Sequence, residues 1–406
     1  MLSQPFLMLQ QPSFCSYKRE ITPVHIIVTF LTNPCNIATV TLHREKKKSV
    51  RDTTADKATS TPHQQQMFNQ KIEKEIMNRQ ILMTAIMACA MGAQVQAQTK
   101  DAKEAEAPKG KAIVQVFTNF HSGFGLDNNN RGFDLDRSYL GYQYDLGKGL
   151  SVKGVMDIGK SSDVSDYQRI AYIKNAQLTW KTGDLTINGG LISTTQFNMV
   201  EKFWGYRYIY KSFQDQYKFG SSADLGLSVA WKANEWLTAD VIAVNGEGYK
   251  KVQVEDGLLY GIGATVTPVK GLSVRLYAGL NEQPAEGKKD VMNYSAFAGY
   301  KGNGFFLGAE YNMMINASGI EDHDQNGFSV YGTVKATKNA EIFARFDDLS
   351  SKDDWNKSKD ESTLLVGAQW KLGKYVKIAP NFRMTMPKAD GADERYAGYV
   401  SCYFGL

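Results

Sequence analysis

Residues Leu272–Leu280, with the sequence Leu-Ser-Val-Arg-Leu-Tyr-Ala-Gly-Leu, alternate apolar side chains with polar or small ones. A period of two places the leucines and Val274 on one face of a β-strand, and Ser273 and Arg275 on the other. Similar stretches recur about sixteen times between residue 112 and the end of the chain. The sequence therefore predicts an all-β protein whose strands each have one apolar and one polar face.

The connections between these stretches are alternately short and long. Short ones, such as Val269–Gly271 and Lys301–Gly304, contain Gly or Asn, which supply the positive φ that tight hairpins need. Long ones, such as Asn281–Asp290, are polar and acidic. An even number of strands with connections of alternating length is typical of a transmembrane antiparallel β-barrel that has short periplasmic turns and long outside loops.

Aromatic residues mark the bases of the short hairpins. In five of the predicted hairpins the last apolar-face residue before the turn is aromatic, namely Tyr144, Trp180, Trp231, Tyr300 and Trp370. Trp and Tyr concentrate where a membrane meets water, so we expect these side chains to form a periplasmic girdle. A soluble β-sandwich or repeat array shares the alternation, but has no reason to direct Trp outward at these positions.

Residues 77–97 have the features of a signal peptide. A basic start at Arg79 precedes an apolar run too short to span a bilayer as a helix, and small residues then lead to a predicted cleavage between Ala97 and Gln98. A signal peptide normally begins a chain. Residues 1–76 are therefore interpreted as an upstream segment that is not part of the real protein, with a cytoplasmic or additional targeting segment as the alternative.

The remaining chain divides into a short extension and the barrel. Residues 98–111 are rich in Ala, Lys and Glu and are predicted to be a flexible periplasmic extension, so residues 112–406 form the barrel domain. Residues 1–97 carry 11 of the 47 Lys and Arg and 6 of the 42 Asp and Glu, which leaves the rest with equal numbers of each sign. Bulk charge thus gives no reason to expect nucleic-acid binding.

The predicted interior face carries charged and amide side chains, which a dry interior would not tolerate. About sixteen strands enclose a space too wide for side chains to fill, so water occupies it. Basic residues outnumber acidic ones there only slightly, which predicts a weak anion preference. The predicted pore-wall residues are Arg137, Lys153, Arg169, Arg275, Glu310, Lys335, Arg345, Lys377 and Arg383.

The longest connection, residues 193–222, is rich in aromatic residues. Because so many rings are unfavourable in water, we expect this third long loop to fold into the lumen and form the constriction. Its predicted constriction residues are Glu201, Lys202, Trp204, Tyr206, Arg207, Tyr208, Lys211 and Asp215. The alternatives are an aromatic cap on the outer surface and an exposed loop that recognises a partner.

Two positions conflict with regular strands. Lys174 falls among the outward residues of its strand, which predicts a β-bulge or a local register shift. Pro380 lies inside a predicted strand, where it cannot donate a ladder hydrogen bond.

The number of strands, the order of the short turns and the inward loop resemble the general outer-membrane porins of Gram-negative bacteria. The tract Phe203–Ser212 and the later Ala379–Arg383 are similar to the phosphate-selective porin O/P-like group. The resemblance implies a passive channel in the outer membrane, often a homotrimer. Phosphate-selective members carry a ladder of lumen arginines, whereas this predicted lumen is nearly balanced in charge.

Catalytic and metal-binding patterns are weak. Beyond residue 97 the only histidines are His121 and His323, both in predicted outside loops, which does not favour a barrel enzyme. Asp322–Gly327 matches half of a calcium loop, but Thr333 stands where the bidentate Glu is required. We therefore expect neither enzymatic activity nor a cofactor or metal.

The leading hypothesis is an outer-membrane porin for the passive diffusion of small hydrophilic solutes and ions. Its expected partners are the lipid bilayer, these solutes, the barrel-assembly machinery and a homotrimer of the chain itself. The alternatives are a surface barrel that acts as an adhesin or receptor, and a substrate-specific channel, for example for phosphate.

Overall fold

The computed structural model describes residues 110–124, 130–161, 165–254 and 256–406. Residues 1–76, the predicted signal peptide with its cleavage position, and almost all of the predicted extension lie outside the described residues.

The described residues form sixteen antiparallel strands in one closed barrel, in which each strand pairs with its neighbours in the chain and β1 pairs with β16. This confirms the predicted fold and strand number. The strands are β1 Gly110–Phe124, β2 Arg131–Gly147, β3 Leu150–Ser161, β4 Ser165–Thr182, β5 Leu185–Ser193, β6 Ala223–Lys232, β7 Leu237–Val244, β8 Leu259–Val266, β9 Leu272–Asn281, β10 Val291–Lys301, β11 Phe305–Ile315, β12 Gln325–Lys335, β13 Ala340–Ser351, β14 Glu361–Leu372, β15 Val376–Pro387 and β16 Arg395–Gly405.

The described helices are short. They are α1 Asn198–Trp204 and α2 Phe213–Gln216, both inside the longest loop, together with 3₁₀ turns at Ala317–Gly319, Lys352–Asp354 and Lys357–Lys359. Among the described residues, no helix has the length and apolar character needed to cross a membrane.

The short connections all lie at one end of the barrel, where the chain also enters β1 and leaves β16. Glycines make these turns tight. Gly271, between β8 and β9, has φ +91°, and a Cβ atom built there would lie only 2.5 Å from the carbonyl oxygen of Lys301. A larger residue at this position would be strained by its backbone conformation and would collide with the neighbouring hairpin.

Both predicted irregularities are present. In the β3–β4 pair, Val155 pairs with Asn175 but Met156 pairs with Ile173, so Lys174 is the extra residue of a bulge. In the β14–β15 pair, the register resumes at Trp370 after a gap opposite Pro380. A bulge reverses the alternation of its strand, so the residues of β4 before Lys174 take the faces opposite to those of a regular strand.

The two faces of the barrel differ as the alternation predicts. Large apolar side chains on the outward face are exposed, among them Leu140, Val152, Ile262, Leu276, Leu307, Val330 and Ile342. Polar and charged side chains on the inward face are buried, among them Asp157, Asn175, Asp240, Arg275, Glu310, Arg345 and Asp347. This arrangement is the reverse of a soluble barrel and leaves a continuous apolar outer surface.

Candidate functional site: the barrel interior and its inward loop

The loop between β5 and β6, residues 194–222, folds into the barrel as predicted. Trp204 ends helix α1 and is fully buried, and its indole Nε1 donates to the carbonyl of Tyr210 at 2.8 Å. The next residue, Gly205, has φ +72°, which ends the helix in the left-handed conformation. Phe203 packs edge-on against Phe297 of β10, with ring centroids 5.0 Å apart. Aromatic packing therefore holds the loop against the barrel wall.

Polar contacts fix the same loop to β13, β14 and β15. The hydroxyl of Tyr206 donates to Glu341 at 2.8 Å, and that of Tyr208 donates to Gln369 at 2.7 Å. Burial raises the pKa of both tyrosines, so both remain hydrogen-bond donors at neutral pH.

Arg345 of β13 is the central anchor of the loop. Its guanidinium donates twice to Asp347, at 2.8 and 2.7 Å, and once to the carbonyl of Lys211, at 2.7 Å. The guanidinium carbon also lies 5.0 Å from the centre of the Trp204 ring. A buried guanidinium is tolerated here because its charge and its donors are satisfied by one carboxylate and the loop backbone.

The charged residues of the loop pair with each other. Arg207 contacts Glu201 at 2.8 Å and Asp215 at 2.7 Å, and its side chain is only 14% exposed. Burial raises the pKa of Asp215, but Arg207 and Lys211 outweigh this effect and keep the pKa below its ordinary value. Lys211 is half-buried, and burial lowers its pKa. Lys202 is exposed.

A second loop also reaches into the interior. Tyr249, in the connection between β7 and β8, donates a short hydrogen bond to Asp157 of β3 and accepts one from Arg137 of β2 at 3.3 Å. Arg137 forms an ion pair with the same carboxylate. Sequence reasoning missed this contact, since a single tyrosine in a polar loop carries no signal of where its side chain lies.

The predicted pore-wall residues have different surroundings. Arg137, Arg275 and Arg345 are each paired with a carboxylate, and Glu310 is buried beside Asn312. The remaining predicted residues on the inward face are Lys153 near Ser193, Lys335 at the short-turn end, Lys377 over the ring of Tyr403, and Arg383 over the ring of Tyr399.

The prediction that Arg169 faces the lumen is wrong. The bulge at Lys174 reverses the alternation in the upper part of β4, so that Tyr172 pairs with Asp157 on the inward face. Arg169 pairs with Lys160 and lies on the outward face. The sequence reveals the irregular position at Lys174, but it does not reveal which face the earlier residues of β4 take.

A cavity of about 1200 Å³ lies above the inward loop, on the side of the long connections. Its lining contains more basic than acidic residues. The basic residues are Arg137, Arg207, Lys211, Lys218, Lys250, Lys251 and Lys359, and the acidic ones are Asp215, Asp224, Glu247 and Glu282. Counted as formal charges, the lining residues therefore carry a net charge of +3.

The aromatic residues predicted to form a girdle all precede short turns. Trp231, Tyr300 and Trp370 are exposed, and Tyr144 and Trp180 are partly exposed. Other exposed aromatic residues lie nearer the long-loop end of the barrel, such as Phe133, which is 87% exposed.

The described residues include two histidines, which lie in different surroundings. His121 lies within β1, not in an outside loop as predicted, and its Nδ1 is 2.9 Å from the side-chain oxygen of Asn119. His323 is in a long connection and stacks on Trp355, with ring centroids 4.2 Å apart. In the described part of the chain, no group of three His, Cys, Asp or Glu side chains has the geometry of a metal site.

The barrel is similar in fold to solved outer-membrane proteins. No protein-family model and no curated protein matches the sequence. The anion-selective porin from Comamonas acidovorans is 14% identical, with a TM-score of 0.57 over 74% of this chain and 100% of that chain. OprB of Pseudomonas putida is 11% identical, with a TM-score of 0.58 over 73% and 94%.

The outer-membrane protein OmpT of Vibrio cholerae is 15% identical, with a TM-score of 0.55 over 75% of this chain and 100% of that chain. At such low identities the likeness establishes the fold alone.

Proposed function

We propose that the chain is an outer-membrane porin through which small hydrophilic solutes and ions diffuse passively, with a weak preference for anions. The observation that carries this proposal is the closed barrel itself, which is apolar outside, charged inside and narrowed by an inward loop. An apolar outer surface of this extent needs lipid, and a charged interior needs water. Solved proteins with the same fold include the anion-selective Comamonas porin.

Planar-bilayer recording tests the proposal. Purified protein should insert in discrete steps of conductance, and the reversal potential in a salt gradient should have the sign of a modest anion preference. Purified, correctly folded protein that produces no steps would reject the porin and favour the alternative of a surface adhesin or receptor.

Membrane insertion has a separate optical test, because tryptophans lie on both faces of the barrel. Brominated lipid should quench a variant that keeps only Trp231, which is 52% exposed on the outward face. It should not quench a variant that keeps only Trp204, which is fully buried in the interior. Equal quenching of the two would contradict the proposed orientation of the barrel.

A phosphate-specific channel is the less favoured alternative. Such a site requires guanidinium groups that are free to bind an oxyanion. Four arginines of the interior, Arg137, Arg207, Arg275 and Arg345, are already paired with carboxylates of the chain. Phosphate should therefore permeate no better than chloride, and a marked preference for phosphate in reversal-potential measurements would reverse this ranking.

A barrel enzyme is the remaining alternative. Replacing His121 and His323 together with Ala should leave conductance and ion preference unchanged, while a hydrolytic activity that disappears in this variant would support an enzyme.

The route and the assembly are proposals of the same kind. We propose secretion by a signal peptide cleaved between Ala97 and Gln98, insertion by the barrel-assembly machinery, and a homotrimer in the outer membrane. The intact mass of the protein from membrane fractions should be that of a chain that begins at Gln98. Light scattering in detergent should give three times the mass of one chain, and the mass of a single chain would contradict the trimer.

A further inference from the structure

The bulge in β4 gives the interior a cation that regular alternation would place elsewhere. The ammonium Nζ of Lys174 lies 3.3 Å from the hydroxyl of Tyr139 and 4.7 Å from the centre of that ring. It also lies 5.6 Å from the centre of the Tyr249 ring. Bulges often redirect a side chain at functional sites. Lys174 is therefore held between two aromatic rings on the interior face of the wall.

Most of the other charged groups around Lys174 already form ion pairs or hydrogen bonds with each other. Its charged neighbours include Arg207, Glu201, Asp157 and Asp215. Arg207 pairs with Glu201 and Asp215, and Asp157 pairs with Arg137 and Tyr249.

Lys211 shares two of these neighbours, Arg207 and Asp215. In the described part of the chain, no carboxylate lies within ion-pair distance of either lysine. Two ammonium groups are thus available to an incoming anion.

The surroundings of these lysines favour a particular kind of anion. The rings of Tyr139 and Tyr249 flank Lys174, and Tyr172 lies edge-on to Tyr249 at 6.4 Å. Tyr249 and Lys211 line the cavity above the loop, and the side chain of Lys174 is partly exposed. Rings beside ammonium groups suit a carboxylate on a planar apolar body. Phosphate would be bound better by guanidinium forks, and those nearby are occupied.

We propose that Lys174, with Lys211 and the rings of Tyr139 and Tyr249, binds small organic carboxylates with a planar body on their way through the barrel. This inference rests on the proposed function, because the site lies on the passage that solutes would take. The ammonium groups attract the carboxylate, and the rings contact its planar body.

Benzoate is the probe, and its effect on the conductance in potassium chloride is the measurement. Benzoate should reduce the conductance of the natural chain in a saturable manner, while acetate and neutral benzamide should have little effect. Lys174→Gln should weaken this block about tenfold, the effect expected when one charge-assisted contact is lost. The matched control is Lys335→Gln, which removes an inward cation on β12 at the short-turn end of the barrel. It should change the block less than about twofold.

Different results distinguish the inference from the function on which it rests. Conductance without any benzoate block, or equal loss of block in the two lysine variants, would overturn the site but leave the porin intact. Inorganic phosphate that blocks as well as benzoate would overturn the assigned ligand class. A natural chain that is folded but does not conduct would overturn both proposals. Tyr249→Leu keeps both lysines, and it should reduce the block by benzoate down to the level of acetate.

Discussion

The interior of the barrel has two unlike sides. On the packed side, formed by β10–β16 and β1–β3, the inward loop is fixed by buried rings and by Arg345, and the contacts resemble those of a protein core. On the polar side, β4–β6, small amide and hydroxyl groups bond to one another in a chain. Asn188 links the two ends of this chain, accepting from Thr179 at 2.7 Å and donating to Ser228 at 3.1 Å. We infer that the loop narrows the barrel from one side and that water follows the other.

The largest loss of stability is expected when Arg345, which anchors the loop on the packed side, is removed. Arg345→Ala leaves Asp347 as a buried carboxylate without its partner, which should lower the free energy of unfolding by about 3–5 kcal/mol. Guanidinium unfolding in detergent measures this change. Arg395→Ala removes a half-exposed ion pair with Glu361 and should cost less than about 1 kcal/mol. Equal losses in the two variants would mean that the loop is not held by Arg345.

A smaller change on the packed side is Tyr208→Phe. The variant keeps the ring but leaves the buried oxygen of Gln369 without the donor at 2.7 Å. The free energy of unfolding should fall by about 1–3 kcal/mol. The loop should also become more mobile, which would appear as greater noise in the open-channel current. A stability and noise level like those of the natural chain would show that the hydroxyl does not hold the loop.

Acid should act on the charge cluster of the loop at lower pH than on an ordinary carboxylate. The pKa of Asp215 lies below its ordinary value of 3.8, so its contribution to stability is complete above that pH and is lost only as the pH falls further. We expect the reversal potential to shift toward anions below about pH 4.

Asp215→Asn should shift the reversal potential toward anions already at neutral pH. Asp390→Asn, in the exposed loop between β15 and β16, should not. An acid shift that persists unchanged in Asp215→Asn would contradict the assignment to Asp215.

The smallest change in the free energy of unfolding is expected on the polar side. Asn188→Ala removes three hydrogen bonds whose partners can bond to water instead, so the free energy of unfolding should change by less than about 1 kcal/mol. The same urea or guanidinium titration measures it. A loss as large as that in Arg345→Ala would show that the polar side is packed as tightly as the other.

The sequence predicts the regular strands better than it predicts the bulge and the inward loop. The period of two determines which face a residue takes in regular strands, so the barrel, its sixteen strands and its apolar outer surface could be predicted. A bulge breaks that rule, and Arg169 was wrongly placed inside because Lys174 shifts the register. Pairings within the irregular loop, such as Arg207 with both Glu201 and Asp215, depend on tertiary packing and have no fixed spacing.

One pairing carried a readable signal. Tyr139 lies directly opposite Asp157 in the β2–β3 hairpin, which places Arg137, two residues earlier on the same face, diagonally beside that carboxylate. Cross-strand neighbours of opposite charge are a recurrent stabilising pair. The contact of Tyr249 with the same carboxylate could not be found in this way, because Tyr249 lies in the loop after β7, four strands beyond β3.

The join between β1 and β16 sets a condition on biogenesis. The amide of Leu406 donates to the carbonyl of Val114 at 2.9 Å, so β16 closes the ring that β1 begins. Without this pairing the sheet would have two open edges, whose polar groups cannot be satisfied in lipid. A variant truncated before β16 should therefore fail to insert, and bilayer recordings should show no smaller channel.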